Sequence, residues 1–190
     1  RIAPAMLFIL FQLGDSRYAL EARRVVEVIP FLSLIPLPHA PRGVAGIFNY
    51  RGRSIPAVDL CELTLGHPAR ERLSTRIIIV EHPGPNGRSY FVGLVAERAT
   101  EAVRKEARDF VETRFQAGAA PFLGPVLMDS DGPVQWIQEQ RVLPEQVQDL
   151  FPDAMLTVEQ SVSSGGYYST ARDEALLTRK NLARLQAHMN

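Results

Sequence analysis

The chain has 190 residues, enough for one substantial domain or for two small ones that share a core. Its 21 basic and 21 acidic residues cancel, which excludes the bulk positive charge that draws a protein to nucleic acid or anionic lipid, so partners are selected by local shape and charge. The longest apolar runs, at residues 6–11 and 76–80, are too short to span a bilayer, and no charged leader with a small-residue cleavage site precedes them. A cytoplasmic protein without direct membrane insertion is expected. The single cysteine, Cys61, leaves no internal disulfide and fits a reducing compartment. It lies in an apolar run expected to be a strand and reads as core filler. Residues 1–5 precede Met6 and are set apart as an artificial extension, with Met6 the natural start.

In chain order, residues 7–13 and 18–20 are apolar runs separated by the turn residues Gly14, Asp15 and Ser16, the pattern of a strand, tight turn and strand. Ala22, Val25, Val26 and Ile29 fall at helical spacing. The β-branched residues at 25–29 and Pro30 favour extended backbone, so a helical turn passing into a strand is predicted. Pro36, Pro38 and Pro41 make residues 34–42 a stiff loop. Strands are predicted at 44–49 and 54–60, joined at Tyr50, Arg51, Gly52 and Arg53, where Gly52 supplies the positive φ of a tight turn and Asn49 caps it.

A polar connection at 64–75 leads to a strongly β segment at 75–80. The turn-rich stretch Pro83, Gly84, Pro85, Asn86, Gly87 joins it to a strand at 90–95. Residues 96–120 are polar and carry no clear period. A third hairpin is predicted from 122–128, a turn at 129–132 and a strand at 134–137, followed by a short helix over 142–151. Short strands at this frequency argue for an all-β barrel or sandwich. From 157 the composition shifts to a linker with paired glycines (Gly165, Gly166) and no apolar period. Residues 171–190 then form an amphipathic pattern: Leu177, Leu182, Leu185 and Met189 share about 140 degrees of a helical wheel, with Arg179, Lys180 and Arg184 elsewhere. Such a helix docks on its own domain, frays in solution or docks on a partner.

A catalytic apparatus is not visible. His39, His67, His82 and His188 stand far apart, without the spacing of a metal site, and no nucleophile elbow, phosphate loop or dinucleotide fingerprint occurs. Cys61 with Asp59 or Glu62 and a distant histidine is the best nucleophile set that can be drawn. Arg23 with Arg24 and Arg51 with Arg53 are small basic clusters, read as surface charge or ion-pair partners rather than a phosphate track. No catalytic residue, metal or cofactor is assigned.

The run LPHAPRGVAGIFNYRGRSIPAVDL at 37–60 resembles the signature of CheW-like domains, the adaptor modules of bacterial chemosensory arrays. In that family a proline loop leads to a strand ending in Asn-Leu-Arg-Gly, and the next strand reads Ile-Pro-Val-Val-Asp-Leu. Weaker support comes from the hairpin over 11–20, the strand at 26–29 and the segment FVGLV at 91–95. Tyr50 replaces the usual leucine, Ala96 and Glu97 replace the usual Val-Asp, and residues 132–140 are more polar than the family's closing strand. The resemblance covers 7 to about 150. It implies two intertwined five-stranded SH3-like barrels with a hydrophobic core between them, short helices, and here an additional amphipathic helix at the C-terminus. The division expected is a CheW-like domain over 6–156 (subdomains about 6–70 and 71–150), a linker over 157–170 and a helical tail over 171–190.

The resemblance also implies a role for Arg51. Its counterpart lies at the surface near a glutamate that matches Glu27, in a region that contacts receptor and kinase. Glu27, Gly46, Asn49, Tyr50, Arg51 and Gly52 are therefore the expected partner-binding residues, and Leu177, Leu182, Leu185 and Met189 an expected tail contact. The function implied is a noncatalytic adaptor that couples the cytoplasmic tip of a chemoreceptor to a histidine autokinase through the kinase's own CheW-like regulatory domain. Other CheW-like adaptors are further partners, and recruitment is to receptor arrays. Tyr50 and the tail point to a pathway other than basic chemotaxis. The alternatives are a small-ligand-binding β-barrel or enzyme, or the isolated regulatory domain of a larger chemotaxis kinase.

Overall fold

The computed structural model describes residues 4–83, 89–113 and 120–143. Nine strands dominate these residues: β1 (Ala5–Leu13), β2 (Ser16–Glu21), β3 (Val25–Pro30), β4 (Val44–Tyr50), β5 (Arg53–Asp59), β6 (Arg76–Pro83), β7 (Ser89–Glu106), β8 (Leu123–Asp129) and β9 (Gly132–Ile137). One α-helix, α1 (Leu60–Leu65), and single 3-10 turns at Ala22–Arg24, Ala107–Asp109 and Glu139–Arg141 complete the described residues. The predicted helical turn before β3 and the three hairpins are present. Ala5 already pairs with Glu106, so the sheet begins one residue inside the segment set apart from the fold.

Two predicted boundaries need correction. The run predicted as strand through Leu60 ends at Asp59, and Leu60 and Cys61 open α1. Asp59 stops the strand because its carboxylate caps the helix, accepting from the backbone N–H of Cys61 at 2.9 Å and of Glu62 at 3.2 Å. Gly66, with φ of 80°, ends the helix in the left-handed conformation and donates its N–H to the Glu62 carbonyl. The polar stretch after residue 96 is the second half of β7. The expected helix at 142–151 and the tail lie outside the described residues from 144 onward.

The strands fall into two interleaved sets. In one, β1 pairs with β2 and with residues 97–106 of β7, β2 runs parallel to β9, and β9 pairs with β8. In the other, β6 pairs with β3 and with the first half of β7, and β5 pairs with β4 and runs parallel to β7. β7 belongs to both, and Arg98, at the hand-over, takes a positive φ of 48°. The grouping is thus not a simple first half and second half of the chain.

This arrangement explains the continuous apolar runs. Ile9, Phe11 and Leu13 face a large shared core with Leu20, Ile78, Val80, Leu94 and Ile137. Phe8 and Leu10, on the opposite face of β1, enter a second core with Phe110, Leu127 and Val134. Likewise Ile77 and Ile79 leave β6 on the other side to meet Phe48, Tyr50, Ile55 and Val95. A strand buried on both faces needs apolar residues at consecutive positions instead of alternate ones.

Candidate functional site

The β4–β5 hairpin turns at Arg51 and Gly52, whose φ values of 52° and 81° are both positive, as a two-residue primed turn requires. A Cβ added at Gly52 would meet nothing within 4 Å, so glycine serves here by conformation alone. Asn49 supplies the predicted cap: its Oδ1 accepts from the Gly52 N–H at 3.0 Å. Asn49, Arg51 and Gly52 are all exposed. The turn lifts Arg51 out of the hairpin and aims it at β3.

There its Nη2 donates to Oε2 of Glu27 at 3.0 Å. The same oxygen accepts from the hydroxyl of Tyr50, whose ring is buried in the core against Phe91, with ring centres 6.2 Å apart. The Arg51 guanidinium also lies 5.1 Å from the centre of the Tyr50 ring. Glu27 is held from two sides and is 14% exposed at its side chain, whereas Arg51 is 52% exposed. Across the hairpin, Arg53 sits opposite Tyr50 in register and places its guanidinium 5.4 Å from the centre of the Phe91 ring. The corner therefore carries two guanidinium groups on aromatic supports and one carboxylate.

Four of the six expected partner-binding residues, Glu27, Tyr50, Arg51 and Gly52, come together, with Asn49 behind the turn. Tyr50 contributes from beneath through its hydroxyl, not as an exposed ring. Gly46 lies away from them, buried under the proline loop. A Cβ there would stand 2.5 Å from the Ile35 carbonyl oxygen, where Ile35 and Ile47 exchange backbone bonds of 2.8 and 2.9 Å. Gly46 is required for that close approach. Arg53 and Phe91 are the members that sequence reasoning missed; the signal was the Arg-Gly-Arg spacing, which puts residue 53 directly opposite residue 50. Leu177, Leu182, Leu185 and Met189 lie outside the described residues.

Elsewhere the buried Cys61 and Asp59 have structural partners, whereas the Tyr90 hydroxyl is buried with no hydrogen-bond partner among the described residues. The Cys61 thiol donates to Glu97 at 3.3 Å; burial above all, then that carboxylate, pushes it up to about 12, so it stays protonated at neutral pH. Asp59, whose pKa burial raises, also accepts from the Ala69 N–H at 2.8 Å. Among the described residues no group of three His, Cys, Asp or Glu side chains is placed to hold a metal ion, and no helix is long and apolar enough to cross a membrane.

The family model for the CheW-like domain matches residues 7–147. The chain belongs to the CheW-like domain family. Over 103 residues it is 31% identical to the chemotaxis protein CheW of Helicobacter pylori, covering 54% of this chain and 59% of that protein. It is 31% identical to CheW of Rhizobium meliloti over 105 residues, 55% of this chain and 64% of the relative. Protein FrzA of Myxococcus xanthus is 33% identical over 117 residues, 62% of this chain and 70% of FrzA. The chain thus spans less than two thirds of the length of the two CheW relatives. The crystal structure of the scaffolding protein TtCheW from Thermoanaerobacter tengcongensis superposes with a TM-score of 0.61 at 24% identity, over 72% of this chain and 86% of that one. The mainly β architecture with few helices is that of the CheW scaffold, and the family's role is that of a chemotaxis adaptor.

Proposed function

We propose that this CheW-like protein couples the cytoplasmic tip of a chemoreceptor to a histidine autokinase, binding the kinase's own CheW-like regulatory domain, and that the Glu27–Arg51 corner is part of the partner interface. The observation that carries this is the placement of Arg51. A guanidinium offers five donors in a rigid fork, and here it is raised on a turn, half exposed and oriented by Glu27 at 3.0 Å. As an internal ion pair at that exposure it contributes about 0 to 1 kcal/mol to stability. The elaborate support of Tyr50, Phe91 and the Asn49 cap is out of proportion to that, and suits a preorganised contact for a partner carboxylate or carbonyl.

In this reading the two interleaved strand sets are the two SH3-like barrels, and the shared core around Ile78 and Leu94 joins them. The adaptor acts by holding its partners in a fixed geometry and uses no cofactor; its place is at cytoplasmic, membrane-associated receptor arrays, where further CheW-like adaptors are additional partners. Titrating the kinase regulatory domain into wild type and R51A, with folding checked by circular dichroism, tests the proposal. Weaker binding by a folded R51A supports it; absence of binding by wild type to both kinase and receptor removes it.

A further inference from the structure

At the end of β4 remote from Arg51, roughly 20 Å along a seven-residue strand, the surface opens into a groove of about 640 Å³. Its apolar walls come from Phe31 and Leu34 before the proline loop, Val44 and Ala45 at the start of β4, and Ala69 after α1. Acidic groups predominate at its edge: Glu62 and the exposed Glu71 border it against one lining cation, Arg42, which turns to the Glu62 carbonyl oxygen at 3.3 Å. Asp59, deeper in, is committed to capping α1 and to the Ala69 N–H.

Beside the groove stands a knob. Leu73 is 98% exposed on a braced turn. The buried Thr75 hydroxyl donates to the Arg70 carbonyl oxygen and accepts from the Arg72 N–H at 3.0 Å, the Thr75 N–H returns to the Arg72 carbonyl oxygen at 3.0 Å, and the Arg76 guanidinium donates to the Leu73 carbonyl oxygen. This turn is joined to the groove wall, because Phe31 donates its N–H to the Thr75 carbonyl oxygen at 3.3 Å and Glu71, two residues before Leu73, itself lines the groove. One exposed leucine is ordinary; a leucine held out from a braced turn next to an apolar groove marks an interface. The charges match as well. Arg70 and Arg72 precede Leu73, while Glu62 and Glu71 edge the groove, and among the described residues no salt bridge or side-chain hydrogen bond engages any of these four charges.

We infer that this face is the interface of a homodimer: about a two-fold axis, Leu73 of each copy enters the groove of the other, and Arg70 and Arg72 face the acidic edge formed by Glu62 and Glu71. A two-fold axis midway between a knob and a groove on one surface brings each knob to the opposite groove, so the same patch serves both copies. Rim charges of opposite sign orient the encounter. The patch is small, which places the dimer among weak complexes that bury less than about 1,200 Å² in total and makes it depend on concentration. This contact is separate from the Arg51 corner and is measured with this chain alone, so its failure and the failure of the adaptor reading are distinguishable.

Sedimentation equilibrium of the full chain, from micromolar to millimolar concentration, should show a reversible monomer–dimer equilibrium. L73D removes the knob, and A45R, at an exposed position, blocks the groove. Each should weaken dimerisation at least about tenfold with thermal melting of the monomer unchanged. M128D, at an exposed apolar position on β8, should dimerise as wild type does. Charge-swapped chains give the decisive arm: R70E/R72E and E62R/E71R should each lose self-association and should pair with one another on mixing, since acidic loop then meets basic rim and basic loop meets acidic rim. A chain that stays monomeric to millimolar concentration overturns the inference, as does association that survives both L73D and A45R, or a swapped pair that does not associate on mixing.

Discussion

Arg17 of β2 and Asp129 at the end of β8, 112 residues apart in sequence, face each other through two parallel N–H···O bonds of 2.7 and 2.9 Å. The pair ties the β8–β9 turn to the first hairpin beside the parallel β2–β9 ladder, and it fixes a register that the glycine turn alone leaves adjustable. The Arg17 bond holds the Asp129 carboxyl at about 2, below its ordinary 3.8. A carboxylate whose folded pKa is depressed stabilises the fold above its unfolded value, and that contribution is lost as pH falls from near 4 towards 2. D129N should lower stability by about 0.5 to 1 kcal/mol at neutral pH, the range of a part-exposed pair, and should flatten the acid limb of the urea midpoint. An acid limb identical to that of wild type contradicts the assignment.

His82 contributes at milder acidity. It is 2% exposed on β6, and burial lowers its pKa below the ordinary 6.5. The unfolded chain therefore takes up a proton first as pH drops through about 6.5, and stability falls from there until the folded-state value is passed. Urea midpoints measured from pH 7.5 to 5 should decline, and the decline should shrink in H82Q.

G46A tests the division between partner contact and packing. With a φ of 152° and the Ile35 carbonyl oxygen 2.5 Å from the new Cβ, the substitution must break or displace the Ile35–Ile47 bridge. We expect a loss of about 1 to 3 kcal/mol and faster amide exchange at both residues. Full stability in G46A refutes the packing role.

Cys61 is the probe of global opening. Its side chain is fully buried and its thiol raised to about 12, so disulfide reagents should react at pH 8 only through unfolding. The labelling rate should follow the population unfolded in urea; rapid labelling without denaturant contradicts the burial of α1 against β7.

The sequence revealed the elements whose signals are local and hid those that depend on distant partners. The hairpin turns at Gly14, Gly52 and Gly132 were legible because each glycine carries a positive φ that few other residues adopt. α1 was missed because Leu60 and Cys61 read as an apolar continuation of the strand residues at 55–58; the cap at Asp59 and the stop at Gly66 were the available signals. The second half of β7 was missed because Arg98, Glu101 and Arg104 present charge to solvent and the segment draws its strand character from pairing with β1. At the site, the Asn49–Gly52 turn was readable from composition. The meeting of Arg51 with Glu27 was not, since 24 residues of loop and strand separate them, and only the family resemblance anticipated it. The buried position of Tyr50 and the separate location of Gly46 emerged only from packing.

The most direct test of the adaptor role is a double-mutant cycle on Arg51 and Glu27, with binding to the kinase regulatory domain measured by calorimetry for wild type, R51A, E27A and the double variant at matched folding. An interface organised by this pair predicts that R51A weakens binding by tenfold or more, about 1.4 kcal/mol, that E27A weakens it less, and that the double variant loses less than the sum. Wild-type affinity in all three folded variants would show Arg51 and Glu27 to be an ordinary surface ion pair.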